Sequence, residues 1–534
     1  MTEITTPLIN IVPTIIGRVA AVTGTRVTGI LEQPQVRPGG RPVRVGDLVK
    51  METPGAIIFG VVDRLDGRGA EPTVETDLLG QILLAPEAGG SGRFELGVSA
   101  YPTLGDPMLS TGTEDAAKVY ARPDAANMRV GIIHQDPYLP AYLATDDLLA
   151  KHFAVLGSTG SGKSCTVTLL LRNILGANPH AHVLLLDPHN EYRTAFTDLA
   201  EVITPANLHL PSWLLNFEEL VEVLVSKEGS DRVAQTSILK EAVLQARRAY
   251  VQAGQDNGHI TVDTPTPFRL SELKHLLNGA MGKLEKAEPT APYLRLLSRL
   301  DSLVNDRRFS FMFSGLMVRD TMAEILSRVL RIPVAGKPIT ILDLSAVPSE
   351  IVDVVVSVMA RTIFDFALWS TKVQPVPLLL VCEEAHRYAP RRDDLGFGPT
   401  KTAIGRIAKE GRKYGVSVGL VSQRPSEVDT SILSQCGTVI ALRMSNEQDQ
   451  EFVRRILPEG ARGLISTLPS LRPREGVVVG VGASVPMRIS FDTLAPEHRP
   501  RSGSARFSEA WQEDTADLSA VEQTIERWRY QRRS

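Results

Sequence analysis

At 534 residues the chain has room for about three globular units, and 43% hydrophobic with 22% charged residues is ordinary for a soluble globular protein. A formal net charge of −3 excludes a chain-wide basic surface, so any affinity for nucleic acid must come from a local one, such as the wall of a pore. The three cysteines, Cys165, Cys382 and Cys436, form no CxxC or metal-ligand spacing and read as reduced thiols of a cytoplasmic protein, while no apolar run approaches the roughly 18 residues of a membrane-crossing helix.

In chain order, the opening "MTEITTPLINIVPTIIGRVAAV" has no basic region before its apolar stretch, which argues against a signal peptide. Residues 1–100 read as a β-rich module. "TIIGRVAAV", "TRVTGIL", "RVGDLVKM", "GAIIFGVVDRL" and "LLGQILLA" are short β-branched runs parted by Gly, Pro and Asp turns, a spacing that predicts a small barrel. The stretch "YPTLGDPMLSTGTED" reads as a linker. An α/β core follows over 125–204 and resumes over 331–492. Its compact apolar runs are "HFAVLG", "HVLLLDPH", "PITILDLS", "PVPLLLVCEEAH", "GVSVGLVSQ" and "GTVIALRM". Each is short enough to be a strand buried on both faces. Helical stretches between them, such as 349–369, predict a parallel sheet. Apolar residues at helical spacing make 205–330 an inserted helical subdomain. Residues 493–534 end in the amphipathic helix "LSAVEQTIERWRYQRRS", which fits either a solvated tail or a brace on a neighbouring subunit.

Residues 157–164 read "GSTGSGKS", after the strand "HFAVL" and before the helix-compatible run "CTVTLLLRNIL". This is the strand–loop–helix setting of a phosphate-binding loop. Gly160 and Gly162 let the backbone wrap so that its N–H groups face phosphate oxygens, and the helix N-terminus adds partial positive charge. Lys163 is expected to reach the β- and γ-phosphates, and Ser164 to ligate Mg²⁺. Ser161 and Cys165 complete the nucleotide-binding candidates. In "LLLVCEEAH" two carboxylates leave the C-terminal end of a buried strand, where open α/β sheets bind ligands. Glu383 is expected in the Mg²⁺ shell, through water, and Glu384 as the base that polarises an attacking water, which points to hydrolysis. Gln423, ending the strand in "GLVSQRP", is either a γ-phosphate sensor or a simple strand-end turn. From His386 to Tyr414 eight basic residues face three acidic ones. That excess is either a solvated helix face or the source of an arginine for a neighbour's γ-phosphate.

Together these residues resemble the HerA family of hexameric DNA-translocating ATPases, relatives of FtsK-type motors. "KHFAVLGSTGSGKS", "LLLDPHNEY", "ITILDLSAVPSEIVDVVVSVMARTIFDF", "LLLVCEEAHRYAP", "IAKEGRKYGVSVGLVSQRPSEVD" and "GTVIALRM" fall in family order across about 125–490. The resemblance implies a RecA-like P-loop ATPase core with an N-terminal HAS-type barrel, using ATP and Mg²⁺ in a homohexamer around double-stranded DNA. It implies an arginine finger acting in trans, best matched by Arg412 with Arg406 second, and a nucleotide contact from Lys151. It also implies a partner docked on the barrel. In archaeal members this is a NurA-type nuclease acting in DNA end resection. In bacterial members it is a nuclease or a sirtuin-like NAD hydrolase acting in antiphage defence. Arg391 and Arg392 are candidates for pore contacts. The family usually carries Asp-Glu where this chain has Glu383-Glu384, which leaves room for a second reading: an ATP-stabilised ring that activates an effector with little translocation. A third, a protein remodeller, lacks the aromatic pore loop it needs.

Overall fold

The computed structural model describes residues 13–32, 42–69, 71–84, 91–226, 230–251, 259–284, 289–313, 319–370, 376–501, 507–512 and 518–529. The first twelve residues and the last five of the C-terminal helical run lie outside them. The chain forms two compact units, Met1–Asn178 with Gly419–Pro496 and Pro179–Val418 with Glu497–Ser534. No described helix is long and apolar enough to cross a membrane.

The first unit begins with a closed barrel. Its strands are β1 (Ile15–Val22), β2 (Arg26–Leu31), β3 (Leu48–Thr53), β4 (Ala56–Asp66), β5 (Thr73–Leu84), β6 (Ser91–Leu96) and β7 (Pro107–Ser110). Six of them close in the order β2-β1-β7-β3-β4-β5 and back to β2, and β6 pairs outside this ring with β5. Closure removes the unpaired backbone that an open sheet would present at its edges. Val19, Val27, Val49, Met51, Ile58, Val62, Val74 and Met108 fill the interior. The linker expected over "YPTLGDPMLSTGTED" is therefore corrected: β7 lies inside it and joins β1 to β3. Proline at the first strand position and flanking turn residues hide this strand, but Met108 is fully buried. The barrel runs past residue 100, its expected end.

Eleven further strands follow among the described residues: β8 (Asn127–Ile133), β9 (Asp136–Ala144), β10 (Phe153–Leu156), β11 (Val183–Asp187), β12 (Ala200–Ile203), β13 (Ile339–Asp343), β14 (Leu378–Cys382), β15 (Val416–Ser422), β16 (Thr438–Leu442), β17 (Glu475–Gly480) and β18 (Met487–Phe491). In the first unit, β10 lies between parallel neighbours, the Gly419–Ser422 stretch of β15 and β16. Beyond β16 the order is β17-β18-β8-β9, all antiparallel. The all-parallel expectation thus holds around β10 but not for this flank.

In the second unit the parallel order is β12-β13-β11-β14. Every residue of β11, β13 and β14 is buried, as their unbroken apolar runs require. The inserted region is helical, with Phe217–Leu224, Arg232–Tyr250, Leu270–Met281, Ala291–Asn305 and Met322–Leu330. Glu219 closes a capping box with Asn216 at the first of these. Fully buried, it also meets the long helix Ser349–Trp369: Ser357 Oγ donates to it at 2.8 Å, and Arg361 donates to its two oxygens at 3.2 and 3.1 Å. The insertion is thereby tied to the α/β layer by a buried charge pair. Arg361→Met leaves that carboxylate without its cation and should lower stability by about 3–5 kcal/mol. Denaturant midpoints should show the fall, with most of it recovered when Glu219→Gln removes the stranded charge.

Candidate nucleotide site

Loop 157–162 leaves the C-terminal end of β10 and enters the helix Lys163–Ala177. Gly160 and Gly162 hold φ of +73° and +101°, a region that residues with a Cβ rarely occupy. A Cβ on Gly160 would meet nothing within 4 Å, so the requirement there is conformational, and the space above the loop is open for a phosphate. The loop is held from below. Gly157 N donates to Ser422 O at 3.2 Å and Ser158 N to Arg443 O at 2.9 Å. Lys163 is buried, and its Nζ donates to Ser158 O at 3.3 Å. Thr159 Oγ1 donates to Gln423 Oε1 at 2.6 Å, so the loop and the strand-end glutamine are one constellation. Ser161 is fully buried, while Ser164 and Cys165 are half-buried on the first helical turn.

The two glutamates belong to the second unit, at the end of β14, and both are buried. Glu384 adopts φ 56° and ψ 44°, the left-handed region, at the turn into the short helix Ala385–Tyr388. A non-glycine residue there costs about 1–3 kcal/mol, a strain that clusters at functional sites. The Glu384 carboxylate lies 3.3 Å from His386 Nδ1 and 3.8 Å from His189 Nε2. Tyr192 Oη donates to Glu383 Oε2 at 3.0 Å, and burial beside that carboxylate pushes the phenol well above its usual value.

Asp187, Tyr192 and His189 are functional candidates that the motif reading left without roles. Asp187 ends β11 and accepts backbone N–H bonds from His189, Glu191 and Tyr192 at 3.3, 3.1 and 3.0 Å. The turn that delivers Tyr192 to Glu383 is built on this carboxylate. The signal was an aspartate at the end of an apolar run in "LLLDPHNEY".

The arginines separate. Arg406, on the helix Gly398–Tyr414, pairs with Asp365 at 3.7 Å and lies 4.3 Å from the centre of the Phe364 ring. Arg412, in the last turn of that helix, is exposed and makes no hydrogen bond or ion pair with the described residues. Arg392 pairs with Asp394, and Arg391 is exposed. Lys151 precedes β10, at the opposite end from the loop. Its Nζ lies 3.5 Å from Asp147, and its carbonyl accepts from Gly437 N. Roughly 13 Å of strand parts it from the loop.

Oxygen donors suit this chemistry. The Ser164 hydroxyl and the Glu383 carboxylate are hard ligands of the kind Mg²⁺ takes, and the glycine cradle beside Lys163 fits a phosphate. A family model described as "Helicase HerA, central domain" matches residues 128–363. The chain is 27% identical over 419 residues to the probable DNA double-strand break repair helicase HerA of Methanocaldococcus jannaschii, covering 70% of this chain and 77% of that one. It is 23% identical over 423 residues to the DNA double-strand break repair helicase HerA of Pyrococcus furiosus, covering 71% and 72%. Residues 128–363 thus match the HerA central domain, and about 70% of the chain is similar to HerA helicases. Among solved structures it is similar to VirB4 of Thermoanaerobacter pseudethanolicus, with 16% identity and a TM-score of 0.49 over 70% of this chain and 98% of that one.

The Asp187 carboxyl is raised from its usual 3.8 to about 6, chiefly by burial, against the pull of its three N–H donors. Keeping it ionised therefore costs folding free energy. That cost is absent below the ordinary carboxylate value and grows as pH rises toward 6, reaching at most about 3 kcal/mol. Asp187→Asn should abolish this slope. Denaturation at pH 4 and pH 7 should show the parent losing stability relative to the variant as pH rises.

Proposed function

We propose that the chain is an ATP-hydrolysing motor that moves double-stranded DNA through a homohexameric ring. The observation that carries this reading is a phosphate loop with a buried lysine in a chain whose β14 delivers two buried carboxylates at its end. Lys163 exchanges its contact with Ser158 O for the β- and γ-phosphates. Glu384, held by its strained backbone and flanking histidines, takes a proton from the attacking water. Glu383, oriented by Tyr192, would hold Mg²⁺ through water and Ser164 would ligate it, and the ion would neutralise phosphate charge. Gln423 reads the γ-phosphate as Thr159 gives it up. Arg412 is better suited than Arg406 to serve a neighbouring subunit, because its guanidinium is exposed and uncommitted while Arg406 is engaged at Phe364 and Asp365.

The curated relatives are called DNA double-strand break repair helicases, and DNA is the substrate proposed here. In a pore the contacts fall on phosphates and are indifferent to sequence. A separate effector, a NurA-type nuclease or a sirtuin-like enzyme seated on the barrel, completes a DNA end-processing or antiphage system in the cytoplasm.

Purified protein should hydrolyse ATP faster with duplex DNA and bind that DNA with an affinity that falls steeply with salt. Lys163→Ala should reduce turnover at least about 100-fold, and Glu384→Gln should do the same while still binding ATP. Unchanged turnover in Lys163→Ala would falsify the site. Full ATP binding with no response to DNA points instead to a ring scaffold.

Mixing tests the ring. Lys163→Ala and Arg412→Ala, each inactive alone, should recover part of the parent's turnover in mixed rings. A finger acting in trans completes some interfaces, whereas one acting in cis completes none. No recovery in mixed rings, with mixing verified by mass measurement, removes Arg412 from that role.

A further inference from the structure

β16 and β17 are antiparallel neighbours, paired from Thr438↔Gly480 to Leu442↔Gly476, and a short turn could join them. The chain instead makes a long excursion from Arg443 to Arg474. The excursion contains the helix Glu447–Ile456 and the short helix Arg462–Ser466.

Its two ends rest on the phosphate loop. Arg443 O accepts from Ser158 N at 2.9 Å, and Ser445 N donates to Ser158 Oγ at 3.2 Å. At the far end, the backbone N of Arg474 lies 3.7 Å from the place a Cβ on Gly162 would take. Between them the excursion holds the glutamine turn: buried Asp449 accepts from Ser426 N at 3.0 Å and Ser426 Oγ at 2.7 Å, three residues beyond Gln423.

The middle of the excursion reaches the barrel. Gly463 N, at the start of the short helix Arg462–Ser466, donates to Asp77 Oδ2 of β5 at 3.2 Å. Approach to β4 is so close that a Cβ on Gly463 would sit 2.8 Å from Asp63 Oδ1 and 3.0 Å from its Cα. Both aspartates are partners of Arg26, which donates to Asp77 at 3.0 Å, to Asp63 at 2.7 Å and to Glu75 at 2.8 Å. Burial and the neighbouring Asp77 raise the Asp63 carboxyl. Three carboxylates gathered on one guanidinium form a joint whose balance depends on where Asp77 points, and Gly463 holds Asp77.

We propose that the Arg443–Arg474 excursion couples occupancy of the phosphate loop to the barrel. The proposal rests on the nucleotide reading of the loop. A phosphate draws Lys163 Nζ away from Ser158 O and the Gln423 amide away from Thr159. Ser158 anchors the start of the excursion, and Gln423 lies three residues before Ser426, which Asp449 of the excursion holds, so the empty and filled loops hold it differently. The coupling is reciprocal: a force on the Arg26 joint alters nucleotide affinity by the same factor as nucleotide alters the joint.

Hydrogen–deuterium exchange on the full chain, with and without a saturating non-hydrolysable ATP analogue, tests this. In the parent, the analogue should change exchange in 157–166, in 443–474 and in β4 and β5 around Asp63 and Asp77. The barrel change should be about fivefold or more. Gly463→Ala forces the helix off β4 without altering a barrel residue, and Asp77→Asn weakens its anchor. In both, the change should persist in 157–166 and fall at least about fivefold in the barrel. Barrel exchange of the Gly463→Ala protein without nucleotide shows whether the barrel itself remains folded. A parent whose loop responds while its barrel does not overturns the proposal. So does a barrel response that survives in both variants. No response in 157–166 defeats the nucleotide reading itself.

Discussion

Two backbone hydrogen bonds, from Gly157 N to Ser422 O and from Ser158 N to Arg443 O, fix the start of a loop that also closes on itself from Ser161 N to Ser158 O. A loop built from glycine and small polar residues cannot hold such a shape through its own side chains. The carbonyls that hold it come from the ends of β15 and β16, which flank the four-residue β10 in parallel register. The start of the loop thus has its backbone groups satisfied by the neighbouring strands. Lys163 is positioned by the same arrangement, since Ser158 O, to which its Nζ donates, belongs to the residue that Arg443 anchors.

Charge serves as the joint wherever unlike elements meet. The helical insertion meets the α/β layer at Glu219 and Arg361. Within the insertion, buried Arg247 gathers the carbonyls of Trp213, Leu215, Thr264 and Thr266, and desolvation lowers its guanidinium to about 10. In the barrel, Arg26 gathers three carboxylates. Apolar contacts alone would tolerate sliding at such places. A buried charge tolerates only the position at which its partners are satisfied.

The strands that carry the site were legible because they are buried on both faces, and such strands write themselves as unbroken apolar runs. "HFAVL", "LLLD" and "LLLVC" each end where a polar residue emerges, at the loop, at Asp187 and at Glu383. Pairings between distant residues left no such trace. Tyr192 and Glu383 are 191 positions apart, and nothing in either local pattern announces their bond. β7 was lost among turn residues because only four residues pair. Strand direction sets Lys151 at the far end of β10 from the loop, a placement its spacing in the sequence does not convey. The choice between Arg412 and Arg406 needed side-chain surroundings, which spacing along one helix cannot supply.

The discontinuity of the first unit has a consequence for synthesis. The strand before the phosphate loop ends at Leu156, yet its two hydrogen-bonded neighbours are encoded at 416–422 and 438–442. Strands β11 to β14 and the helices between them all emerge from the ribosome first. Chains fold on the ribosome from the N-terminal side as their contacts become available. For this chain, the barrel can close once residue 110 has emerged, and the α/β layer of the second unit can assemble next. The phosphate loop, although made early, waits for more than half of the chain before its flanking carbonyls arrive. A nascent chain therefore lacks a carbonyl that holds the loop until residue 443 has emerged.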